Sequence, residues 1–144
     1  MNYLIPIDFS DATDKVIAAI EQHVTKKGSK ITLLHVAEPD PAFVGYEAGP
    51  DVVRSQVAQE YKREHKEIQD LAQGLRDIGF DATGLLIQGP IVKTVLETAK
   101  KAKADMIIMG THGRGAVFQI LVGSVSEGVL HKAKCPVLLV PMKD

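Results

Sequence analysis

The feature that most constrains this chain is an alternation of two hydrophobic periods. Short runs rich in β-branched and other apolar residues occupy positions 3–7, 30–36, 82–88, 105–110 and 136–141. Each is nearly continuous in apolar character. That texture belongs to strands buried on both faces, as in a parallel sheet. Between the runs, apolar residues recur at close to helical spacing. Val16, Ile17, Ile20 and Val24 share one helical face after Ser10 or Asp11. Ile68, Leu71, Ala72, Leu75 and Ile78 share another, late in a long charged helix expected to start near Asp51. Val92, Val95, Leu96 and Ala99 form a third face behind Pro90, which suits a first helical turn because it has no N–H to leave unpaired. A fourth helix is expected from about Ser124 to His131. The order is β-α-β-α-β-α-β-α-β. Strict alternation predicts an α/β fold with right-handed crossovers and helices on both faces of a five-stranded parallel sheet. With 144 residues and no internal repeat, the whole of 1–144 is expected to be one domain.

Composition removes several classes of function. The formal net charge is −1, so there is no general electrostatic pull toward nucleic acid or an anionic membrane. Four Phe, three Tyr and no Trp supply few platforms for stacking bases. Cys135 is the single cysteine, which excludes an intramolecular disulfide and every multi-cysteine metal site. His23, His65 and His131 are scattered over three expected helices and no HExxH spacing occurs, so no protein-built metal site is expected. The opening MNYLIPIDFSD lacks the basic and apolar regions of a secretory signal, and no window of about 18 residues is apolar and free of charge. A cytoplasmic location with no membrane partner is the expectation.

One stretch carries chemistry. It runs Met109-Gly110-Thr111-His112-Gly113-Arg114-Gly115, continues to Val122, and ends Gly123-Ser124-Val125-Ser126. A buried strand is expected to end at Gly110 and a helix to start at Gly123-Ser124. Glycines let backbone N–H groups approach an anion closely. A helix start adds unpaired N–H groups and the positive end of its dipole. The hydroxyls of Ser124 and Ser126 are candidate donors to phosphate oxygens, and Arg114 a candidate countercharge. The stretch is not a Walker A loop, because no GxxxxGK[ST] occurs. It is not a dinucleotide fingerprint either, because position 118 is Phe where a third glycine belongs. The irregular segment 37–50, with Pro39, Pro41, Gly45, Gly49 and Pro50, reads as a surface loop at the strands' carboxyl ends.

Gly110, two residues, Gly113, nine residues, then Gly123-Ser124 is a spacing that resembles the ATP-binding branch of the universal stress protein family. The opening Ile5-Pro6-Ile7-Asp8-Phe9-Ser10, the segment Leu33-Leu34-His35-Val36 and the ending Cys135-Pro136-Val137-Leu138-Leu139-Val140-Pro141 are also similar to that family, so the likeness covers essentially the whole chain. The resemblance implies strand order 3-2-1-4-5, a doubly wound sheet of the adenine nucleotide alpha hydrolase-like kind. It implies that Asp8 contacts the ribose or adenine, that Pro6 and Ile7 line the base, and that the backbone of Val36 reads the adenine edge. Met109 and Gly110 would flank the nucleoside. Gly113, Gly123, Ser124, Val125 and Ser126 would hold the phosphates. The ligand would be ATP, or AMP or ADP, with Mg or Mn carried by the phosphates. In that order strands 1 and 4 are neighbours and meet at the topological switch point, where doubly wound sheets bind ligands.

Other roles compete for the same residues. Asp8 could cap the first helix, although Asp11 and Ser10 lie closer to it. Ser124-Val125-Ser126-Glu127 fits the S-x-x-E capping box, a role that can coexist with phosphate binding because a hydroxyl both donates and accepts. His35 is expected to be a hydrogen-bonded structural histidine, Cys135 a small buried thiol, and residues 62–67 a solvated helix face with i,i+4 pairs. No catalytic constellation emerges, since no GxSxG elbow occurs and no general base is evident near the glycine segment. The expected function is therefore regulatory nucleotide binding. The alternatives are a slow ATPase or nucleotidyl-transfer enzyme on the same scaffold, or a nucleotide-free interaction module. The last run, 136–141, is apolar, carries no charge and falls at the sheet edge, so a homodimer by antiparallel pairing of this strand is expected.

Overall fold

A computed structural model of the chain describes residues 1–37, 50–111 and 123–141, with the backbone alone described for 50–55. Residues 38–49 of the expected loop 37–50 and the central glycine segment 112–122 lie outside the described residues. The elements are β1 Asn2–Pro6, α1 Ala12–His23, β2 Lys30–Ala37, α2 Pro50–Asp77, β3 Asp81–Gln88, α3 Ile91–Lys101, β4 Met106–Gly110, α4 Ser124–Lys132 and β5 Val137–Val140. Every expected strand and helix is present, and boundaries shift by one or two residues. Pro90 is the N-cap of α3, one residue ahead of its expected place. Ile78 lies past the end of α2 and is 42% exposed, so it is not part of the buried stripe.

The strands form one parallel sheet in the order β3-β2-β1-β4-β5. Successive side chains of a strand point to opposite faces, and both faces are covered. On one side Ile5, Ile7, Ile31, Leu33 and Ile108 pack with Val16 and Ile20 of α1 and with Ile68, Ala72 and Leu75 of α2. On the other, Leu4, Leu34, Val36, Ile107 and Met109 pack with Val95 of α3 and Val129 of α4. Burial on both sides is why these strands are apolar throughout rather than alternating. Chain order fixes the rest. The connections through α1 and α2 step outward from β1 to β3, and α3 carries the chain back to β4 on the far side of β1. The C-terminal ends of β1 and β4 therefore sit side by side, where the connections leave in opposite directions.

Candidate functional site at the switch point

The β1 tip is a tightly hydrogen-bonded turn. The Ile7 N–H donates to the Leu34 carbonyl at 2.8 Å, which extends the pairing of β1 with β2 beyond Pro6. Asp8 Oδ1 then accepts from both the N–H (3.0 Å) and the hydroxyl (2.6 Å) of Ser10, and Ser10 Oγ accepts from the Ala12 N–H at 3.2 Å. Asp11 occupies the N-cap position of α1 but its side chain makes no capping bond. The capping task at this helix is thus passed from Asp8 through Ser10, and Asp8 is part of the turn that starts α1. Phe9, between them, has φ of 58°, a region a bulky side chain rarely adopts.

The β4 tip is joined to the start of α4. Ser126, 3% exposed, donates its hydroxyl to the Gly110 carbonyl at 2.7 Å. The Gly123 N–H donates to the Thr111 carbonyl at 2.6 Å, and the Thr111 N–H donates to the Val140 carbonyl at 3.0 Å. The first helical bond of α4 runs from the Glu127 N–H to the Gly123 carbonyl, 2.9 Å. The N–H groups of Ser124, Val125 and Ser126 precede it and have no acceptor within the helix. They lie at the positive end of the α4 dipole, beside Gly110. The first-turn carboxylate, Glu127, reaches along the helix toward His131, at 3.6 Å. The chemistry available here is anion binding by backbone amides.

Three expectations change on this geometry. The Ser126 hydroxyl is not aimed at a ligand, because its proton is committed to Gly110. The Gly123 N–H is likewise taken by Thr111. Ser124 is the first helical residue rather than the cap, since Gly123 is the N-cap, so the S-x-x-E box is not formed. A fourth expectation is qualified by the pleat. Ile7 faces the α1/α2 core and is 5% exposed, whereas Val36 and Met109 face the opposite side together with Val125. The side chain of Ile7 thus packs away from the other expected base contacts. Pro6, Asp8, Val36, Met109, Gly110, Ser124, Val125 and Ser126 are gathered around the same end of β1, β2 and β4. Gly113 and Arg114 lie outside the described residues. Cys135 is half-buried rather than fully buried.

Two residues here are assigned no role by the motif reading. Phe9 stacks on His35 with ring centroids 4.4 Å apart. Glu64 of α2 brings Oε2 to 3.0 Å from His35 Nε2. Its side chain is more buried than those of Arg63 and Glu67 in the same run, where Arg63 reaches Glu60 (3.2 Å) and Glu67 (3.9 Å). Its helical spacing to Ile68, Leu71 and Leu75 was the available clue, since all four share a face. A cleft of about 440 Å³ also opens between the start of α1 and the middle of α2, lined by Phe9, Ser10, Asp11, Thr13, Asp14, Glu67, Asp70 and Leu71. Its four carboxylates repel phosphate, and it is on the sheet face opposite α4. No helix among the described residues is long and apolar enough to cross a membrane.

Comparison with known proteins decides the lineage. The model of the universal stress protein family matches residues 1–141. The chain belongs to the universal stress protein family. A universal stress protein of Thermus aquaticus is 31% identical over 137 residues, covering 95% of this chain and 96% of its own. The solved structure of protein MJ0577, of Methanocaldococcus jannaschii, superposes with a TM-score of 0.87 at 26% identity, covering 99% of this chain and 96% of the other. An Archaeoglobus fulgidus universal stress protein solved in complex with dAMP gives a TM-score of 0.64 at 17% identity, with 97% of each chain covered, a likeness of fold. A further family member was solved in complex with cAMP, at a TM-score of 0.66 and 19% identity, covering 99% and 98%.

Proposed function

We propose that this universal stress protein binds an adenine nucleotide, ATP foremost, and acts as a single-domain regulatory module of the cytoplasm. The observation that carries the reading is the start of α4. Three consecutive N–H groups without helical acceptors are held against the β4 tip by the Ser126–Gly110 bond, at the switch point of a doubly wound sheet. The triphosphate lies against Ser124, Val125 and Ser126 through their amides, with Gly113 and Arg114 contributing from the glycine segment. The nucleoside lies across Pro6, Asp8 and Val36, with Met109 and Gly110 alongside. Magnesium or manganese arrives with the phosphates. Two structural relatives solved in complex with cAMP and dAMP support the ligand class.

The protein pairs with a second copy through β5. That strand is hydrogen-bonded to β4, ends the sheet, and leaves Leu138 39% exposed. Pro136 and Pro141 limit how far the pairing extends.

Native mass spectrometry and titration calorimetry with ATP, ADP and AMP, with and without magnesium, test the ligand. The expected result is one nucleotide per chain, with binding weakened in Asp8→Ala. A chain that carries no nucleotide on purification and gives no heat with any of the three overturns the reading.

A further inference from the structure

We propose that His35, held by Glu64, is a positioning residue that sets the β1 tip from the long helix α2. The seating of α2 and the affinity of the nucleoside half of the site are thereby coupled. The ligand in this proposal rests on the nucleotide reading above, while the mechanical part rests on geometry alone.

His35 has acceptors on both sides of its ring. Nδ1 lies 2.7 Å from the Ile7 carbonyl oxygen, and Nε2 lies 3.0 Å from Glu64 Oε2. A carbonyl only accepts, so Nδ1 carries a hydrogen. A neutral imidazole has one N–H, and it is used there. Glu64 meets the ring on its other nitrogen, and the side chains, 12% and 16% exposed, form a continuous link from α2 to β1. The ring also stacks on Phe9, with planes 37° apart. His35 thus grips both neighbours of Asp8, Ile7 through its carbonyl and Phe9 through its ring. Phe9 is the residue with the unfavourable φ of 58°. A strained conformation persists only where surrounding contacts over-determine it. Val36, the next residue along β2, is itself part of the candidate site. On α2, residues 56–63 are exposed and Glu64 is the point at which that helix reaches the strand tips.

The link is tested with Glu64→Ala and Glu64→Gln. A glutamine amide can donate an N–H to Nε2 while Nδ1–H keeps its bond to Ile7, so it restores the link without the carboxylate. In the nucleotide-free protein, Glu64→Ala should speed hydrogen exchange at the Ser10 and Ala12 amides about tenfold. Amides of β4 and α4 should be unchanged. The ATP dissociation constant should rise about tenfold. Glu64→Gln should match the parent in both readouts. Unchanged exchange at Ser10 and Ala12 overturns the proposal. So does acceleration spread evenly to β4 and α4, which marks plain loss of stability, and so does Glu64→Gln behaving like Glu64→Ala. Should the parent bind no ATP while the exchange pattern holds, the nucleotide reading fails and the mechanical link stands. Should ATP bind the parent and Glu64→Ala equally well, the coupling to affinity is refuted.

Discussion

One added methyl group at Gly84 and one at Gly74 should move stability in opposite directions. Gly84 is in β3, where α2 crosses it. A Cβ built there stands 2.8 Å from the Ile68 carbonyl oxygen and 3.2 Å from its carbonyl carbon. Both are backbone atoms, so no change of rotamer relieves the contact. Gln69 Nε2 donates to the Gly84 carbonyl at 2.9 Å across the same close approach, which α2 would have to give up in retreating. Overpacking of this kind costs about 1–3 kcal/mol. Alanine also narrows the unfolded ensemble, which returns about 0.4–1 kcal/mol. The steric effect wins, leaving a net loss of roughly 1–2 kcal/mol. Gly74 lies inside α2, exposed, with nothing within 4 Å of its Cβ position. Only helix propensity acts there, and Gly74→Ala should gain about 1 kcal/mol. For 144 residues, 1 kcal/mol moves the midpoint by about 3 °C. Gly84→Ala should therefore melt about 3–6 °C lower and Gly74→Ala about 3 °C higher. Urea unfolding at one fixed protein concentration checks both, with equal m-values required, because self-association makes midpoints concentration-dependent. A Gly84→Ala protein as stable as the parent would falsify the seating of α2 directly on β3.

Ser126→Ala should lower stability by about 1 kcal/mol and weaken ATP binding, since the bond to Gly110 holds the α4 amides in place. Equal stability to the parent in urea would show that this bond holds nothing. Ser124→Ala should cost less than about 0.5 kcal/mol, below the usual loss for a capping serine, because Gly123 is the N-cap. A larger loss by the same measurement restores the capping box. If β5 pairs with a second copy as proposed, Leu138→Lys should yield a monomer in sedimentation velocity by placing like charges across the paired edges; a parent that already sediments as a monomer at micromolar concentration removes the β5 interface.

The element order was legible in the chain because it depends on local period. Runs buried on both faces stay apolar throughout, and helices show their stripe at 3.6 residues, so five strands and four helices could be placed without partners. The switch point followed from a family spacing and a topology rule. The neighbourhood of Asp8, Val36 and Gly110 is accordingly legible without any contact. Pleat direction was harder to read in residues apolar on both sides. Nothing in Ile5-Pro6-Ile7 says which of them faces α2.

What only the tertiary structure decided is which polar group meets which. The Ser126 hydroxyl finds its acceptor 16 residues back, and His35 finds its carbonyl 28 residues away. Glu64 reaches that same histidine from another helix. A hydroxyl, an imidazole or a carboxylate advertises the bonds it can form, and sequence reports that inventory faithfully. The partner is chosen by distance and direction within about 3 Å, and those are set only after the sheet has brought remote segments side by side.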